Sequence, residues 1–345
     1  MTKQIRVRKV IYPILIGLVV VSYMLYRDFD PNTFDLISFT RYTLFWLVIA
    51  FSCMIVRDIG YIVRIRTLSG NRLSWKQAFR VIMLWEFTSA ITPSAVGGTT
   101  LAILFVHKEG IGVGKSSAMV MAASFLDELY FVLMFPIILL TVNRHVLYAI
   151  PDVEDSVTQS LFLFAIIGYG LKLSFLALLS YGLFRNPRGL KYLLVQLFRW
   201  RILRKWRRDV NEVGYDIIRN SIELKHKPFS FWLKTFAATF CSWTARYWVV
   251  NSLLVAFWFE RYDWAQHFLI FARQLVMWII MLIAPTPGGS GFAEFLFAEY
   301  FAEFLPVAGV AVAMALLWRL ISYYPYLIIG VWIVPRWLAR SFGKR

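Results

Sequence analysis

The chain has 345 residues, 59% of them hydrophobic and 18% aromatic, and a formal net charge of +17. Its many apolar runs approach the ~20 residues that a spanning helix needs, which excludes an ordinary soluble domain and points to a polytopic membrane protein. The positive charge then reads as cytoplasmic loops facing anionic lipid, and no nucleic-acid partner is expected.

Lys3, Arg6, Arg8 and Lys9 precede a first apolar run over about 10–26. No small-residue cleavage site follows, so this run reads as a retained helix and not a signal peptide. Asp28, Asp30 and Asp35 suit an outside loop. A second helix, about 41–63, returns to a basic stretch holding Arg57, Arg64, Arg66, Arg72, Lys76 and Arg80, which belongs inside. The apolar segment 79–107 follows, interrupted at Thr92, Pro93, Gly97 and Gly98. Pro93 has no N–H and disfavours helix at Thr92, while the glycines free the backbone. A further helix, about 115–142, ends before Asp152, Glu154 and Asp155, which suit the outside. Another, about 159–184, leads to residues 185–227, where twelve Lys/Arg stand against four acids.

Those cations fix the broken segment by parity. A single crossing by 79–107 would put them outside, against the positive-inside rule. The segment is therefore expected to enter and leave on the cytoplasmic side as a re-entrant hairpin. The second half repeats the pattern inverted: a helix over about 229–258, a segment 266–304 interrupted at Pro285, Pro287, Gly288, Gly289 and Ser290, and a last helix over about 306–334. Arg336, Arg340, Lys344 and Arg345 then belong inside, so the second hairpin enters from outside. Gly97, Gly98 and Glu128 each precede Gly288, Gly289 and Arg319 by 191 residues (288−97, 289−98, 319−128). The expected fold is all-α: six spanning helices, two oppositely oriented re-entrant helical hairpins and an inverted repeat. It forms a single transmembrane domain over 1–345, with halves 1–142 and 229–345 around a basic segment 185–228. In that segment aromatics interleave with Arg201, Arg204, Lys205, Arg207 and Arg208, which suits amphipathic helices on the inner leaflet.

Ionisable groups inside spans are costly and usually functional. Here they are Glu86, Asp127, Glu128, Arg246, Arg273, Glu294, Glu299 and Arg319. Arg246 and Glu299 read as ion pairs that pin helices. Glu128 and Arg319, at matched mid-span positions, read as a binding site. Each break also starts a short helix, at Thr99 and Thr100 and at Ser290, whose free N–H groups with Arg273 or Arg319 suit an anion. Cys53 and Cys241 show no metal spacing and call for no disulfide. No metal, cofactor or catalytic residue is expected.

The stretch Thr92-Pro93-Ser94-Ala95-Val96-Gly97-Gly98, the glycines Gly110 to Gly114, Asp127-Glu128 and the run Pro285 to Glu294 together resemble a known family. It is the flippase-like transmembrane domain of the lysylphosphatidylglycerol synthases, here as a stand-alone member. Family members often carry a Glu-Arg pair where this chain has Asp127-Glu128. The resemblance implies movement of a lipid between leaflets. No aminoacyl transfer is expected, because only eleven residues follow Val334.

The leading expectation is a lipid flippase or lipid-linked precursor transporter of the inner membrane, with both termini cytoplasmic. Its partners are membrane lipids with anionic headgroups, with a second copy or a lipid-modifying enzyme as further ones. With no Walker motif, the energy source must be an ion gradient or mass action. The alternatives are a scaffold for anionic lipid and a partner enzyme, and a lipid-headgroup enzyme. His107, His145, His226 and His267 are scattered, which disfavours the last.

Overall fold

The computed structural model describes residues 39–92, 95–150, 155–186, 188–189, 192, 218–257, 262–283, 286 and 289–342. These residues are helical, with no strand among them. The elements are α1 (Arg41–Leu68), α2 (Trp75–Ile91), α3 (Ala95–Lys108), α4 (Val113–Thr141), α5 (Arg144–Tyr148), α6 (Asp155–Ser180), α7 (Phe229–Phe257), α8 (Trp264–Ile280), α9 (Phe292–Tyr300), α10 (Ala308–Ser322) and α11 (Tyr324–Phe342). Thr40, Ser74 and Asp263 cap the starts of α1, α2 and α8 through their side chains.

Among the described residues, four stretches are long and apolar enough to cross a membrane: Arg41–Leu68, Val113–Thr141, Gln159–Arg185 and Gly309–Ser341. The first expected helix lies outside the described residues, as do Arg201, Arg204, Lys205, Arg207 and Arg208. Of the helix expected over about 229–258, Phe229–Phe257 forms α7, of 29 residues. It is not one of the four, and the reason is its polar side: Thr235, Thr239, Ser242, Asn251 and Ser252 are all buried.

The packing interleaves the two halves. First-half α1 packs most extensively on second-half α7, and α11 packs on α2. Small residues permit this closeness, as is usual between membrane helices. A Cβ on Gly60 would meet Ser242 Oγ at 2.1 Å, and one on Gly330 would meet the Phe87 ring at 1.9 Å. The outer faces are apolar: Leu44, Phe45, Val48, Phe51, Ile55 and Ile59 of α1 are exposed. The charges point inward instead, the reverse of a soluble protein.

Three boundaries differ from the sequence expectation. The first interruption falls between Ile91 and Ala95, so Gly97 and Gly98 are helical, in the first turn of α3. Gly98 serves close packing, because a Cβ there would lie 2.0 Å from Ser89 Oγ. The second helix runs on to Leu68, which adds Arg64 and Arg66 to it; Arg57 already fell within the expected 41–63. The last helix is longer than expected and is broken at Tyr323, whose backbone (φ −130°, ψ −56°) leaves helical geometry. Pro325 then occupies the first turn of α11, where a missing N–H costs nothing.

Candidate functional site

The buried stripe of α1 runs Ala50, Met54, Arg57, Tyr61, Arg64 and Leu68. Steps of three and four put these residues on one face, so both arginines turn inward with the apolar ones. Arg57 donates to Asp58 Oδ1 at 2.7 Å and pairs with Glu86 of α2. Its guanidinium lies over the rings of Tyr61 (4.6 Å) and Tyr326 (5.0 Å). Tyr326 of α11 in turn donates to both Asp58 carboxylate oxygens, at 2.9 and 3.0 Å. One turn and three residues on from Arg57, Arg64 pairs with Asp127 of α4 and donates to Thr239 Oγ1 at 3.3 Å. Asp127 also accepts from Trp243 Nε1 at 2.8 Å. Side chains from α1, α2, α4, α7 and α11 thus form one charged cluster.

The cluster is asymmetric. Arg57 and Arg64 side chains are 1% and 4% exposed, whereas Asp58, Glu86 and Asp127 keep 20%, 19% and 21%. The cations are enclosed, and the carboxylates are partly open. Arg246 of α7 stands beside them, half-buried, over Trp278 (4.6 Å) and Trp243 (5.7 Å). It forms no hydrogen bond or ion pair among the described residues, so the expectation that it pins helices as an ion pair is corrected. Its lack of a partner follows from place: Glu86 is already engaged by Arg57, and Asp127 by Arg64 and Trp243.

Glu128 and Arg319 each close on a partner of their own. Successive helical residues point about 100° apart, so Asp127 and Glu128 serve different neighbours. Glu128 accepts from Lys172 of α6 at 3.0 Å, and that ammonium lies 4.0 Å over the Phe131 ring. Arg319 donates to Glu294 at 3.1 Å, with both side chains buried. Glu294 Oε2 also accepts from Gly291 N–H at 2.7 Å, capping α9 across a residue whose φ of +85° suits glycine. The helix therefore begins at Phe292, not at Ser290.

The ends of the two interruptions are joined. Tyr323 donates to Ala90 O, near the end of α2, at 2.9 Å, and accepts from Ser290 Oγ at 3.4 Å. Gly289 lies against Arg319: a Cβ there would sit 3.8 Å from its Nη2. On the first side, Thr92 Oγ1 is spent on Thr88 O at 2.7 Å. Thr99 and Thr100 lie in the body of α3, one turn beyond its start. Pro93, Pro285, Pro287 and Gly288 lie outside the described residues.

Arg273 does not face either interruption. It is fully buried, donates to Tyr300 O and Val146 O at 2.7 Å each, and pairs with Glu303 at 3.0 Å. It fastens α8 to α5 and to the end of α9. Its donors go to main-chain carbonyls because such groups at helix ends lack partners of their own.

Sequence reasoning missed Arg57, Asp58, Arg64, Lys172 and Tyr326 as members of these clusters. The spacing of Arg57, Tyr61 and Arg64 on an apolar stripe was the available signal. Lys172, alone within an apolar run, was another.

A bundle of apolar-faced helices around internal charge clusters is the build of a polytopic membrane protein. The chain belongs to the family described as the lysylphosphatidylglycerol synthase TM region, which matches residues 10–330. It is also similar to a UPF0104 membrane protein of Archaeoglobus fulgidus, 28% identical over 340 residues, covering 95% of this chain and 97% of that one.

Proposed function

We propose that the protein moves the polar headgroup of an anionic or aminoacylated lipid, or of a lipid-linked precursor, between the leaflets of the inner membrane, without covalent chemistry. The observation that carries this is the central cluster, whose cations are enclosed while its carboxylates stay partly open. A headgroup crossing ~30 Å of hydrocarbon needs replacement solvation along the way, and charges held inside spans supply it. On this reading α2 with α3, and α8 with α9, are re-entrant hairpins from opposite faces within an inverted repeat. At 1.5 Å per residue, α2 (17 residues) and α3 (14 residues) reach only about 26 and 21 Å. Both termini and residues 185–228 are then cytoplasmic.

One observation favours a scaffold instead. Arg319 is closed on Glu294, and Tyr323 ties the two interruptions together, which fixes them where a transporter needs room. Reconstitution into vesicles with tail-labelled lipids of several headgroups decides between the two. Transport predicts faster leaflet exchange for at least one headgroup, reduced by Asp127→Asn. Exchange no faster than in protein-free vesicles, for every headgroup, leaves the scaffold.

A further inference from the structure

Arg246 differs from every other arginine of the charge clusters. Arg57, Arg64, Arg273 and Arg319 each close on a carboxylate. Arg246 rests only on the faces of Trp278 and Trp243. It lies three residues beyond the midpoint of the 29-residue α7, about 4.5 Å along the axis. Its five N–H donors are not used within the described protein at this depth. The indoles offset part of the cost of a cation there and leave the donors unfilled.

The opposite charge is close by. Trp243, beneath Arg246, lies 6.3 Å from the Tyr61 ring, which lies under Arg57, the partner of Glu86. Arg57 serves two carboxylates, Asp58 and Glu86, so that group carries one net negative charge. Arg64 and Asp127 cancel. The cluster as a whole is therefore bipolar: a free positive end at Arg246, a negative end at Asp58 and Glu86, and no net charge.

We propose that this bipolar face seats a lipid headgroup bearing both a phosphodiester and an ammonium, the phosphodiester on Arg246 above Trp243 and Trp278, the ammonium on Glu86 and Asp58. The assignment rests on the transport reading and narrows it. A neutral headgroup on a neutral cluster buries no uncompensated charge. A purely anionic one satisfies Arg246 but leaves the exposed carboxylates facing an added negative charge, which is costly away from water.

The test is binding of short-chain lipids to the full-length protein in detergent, read by thermal shift, beside leaflet exchange in vesicles. Phosphatidylethanolamine is the bipolar probe and phosphatidylglycerol the anionic one. The wild type should bind the first more tightly. Arg246→Gln should weaken both by about tenfold, the loss expected of one charge-assisted hydrogen bond, and Arg246→Lys should recover part. Glu86→Gln should weaken phosphatidylethanolamine alone; if it unfolds the protein, Asp58→Asn makes the same test from the other carboxylate. Equal binding of both lipids by the wild type, or unchanged binding in Arg246→Gln, overturns the assignment while leaving transport intact. The expected binding pattern without any leaflet exchange upholds the assignment and overturns transport.

Discussion

Arg319→Met removes one charge from a pair in which Glu294 is 1% exposed and Arg319 5% exposed. Breaking a buried pair from one side leaves a charge with neither partner nor water, at a cost of about 3–5 kcal/mol. Glu294 retains its bond from Gly291 N–H, which places the loss near the lower bound, about 3 kcal/mol. In the double variant with Glu294→Gln no charge is stranded, and the amide oxygen still accepts from Gly291. About 2 kcal/mol of the loss should then return, as a coupling energy between neighbours. Reversible unfolding in mixed detergent micelles, run on the wild type, both single variants and the double, gives the four corners of the cycle. Single losses that add to within about 0.5 kcal/mol would show that Arg319 and Glu294 act independently, and would refute the closed pair.

Gly60→Leu should prevent folding, since a Cβ alone would lie 2.1 Å from Ser242 Oγ and 2.7 Å from Ala238 O; Gly170→Ala, with nothing within 4 Å, should leave expression and melting intact or slightly improved. Outside the spans, burial opposes ionisation of Glu223, but Lys115, at 3.2 Å, with Lys227 and Arg72, outweighs it and holds the carboxyl below its usual range. A depressed folded value means that the stabilisation is present above the unfolded value and is lost as pH falls through the lowered one. Hydrogen exchange over residues 218–225, corrected for intrinsic rates, should show protection that fades only in that acid window, and Glu223→Gln should abolish the pH dependence.

The sequence carried the interruptions because they are local chemistry. Pro93 beside two glycines, and the clustered prolines and glycines from Pro285 to Gly291, disfavour helix locally, whereas the lone Pro136 and Pro335 are carried inside α4 and α11. The helix over 113–141 was equally legible, as an apolar run between charged loops. Helix ends set by tertiary contact were not. Arg57 and Arg64 were counted with the inside basic stretch because charge was read before periodicity, and the buried stripe through Tyr61 shows the cost of that order. The break at Tyr323 was overlooked, although Pro325 stands two residues on. Partner choice was the least legible feature. Nothing in the neighbourhood of Glu128 names Lys172, 44 residues away, and no local rule sends Arg319 to Glu294.

The bond from Tyr323 to Ala90 O spans 233 residues and so fixes an order of events during synthesis. Ala90 lies in the last turn of α2, where carbonyls have no partner within their own helix. Its donor emerges from the ribosome only 233 residues later. Until then that carbonyl must be satisfied by other means, because bare backbone acceptors are costly in hydrocarbon. Ser290, arriving shortly before Tyr323, meets the same hydroxyl. The first interruption is thus translated well before the second, yet it reaches its final form in the same step that completes the second.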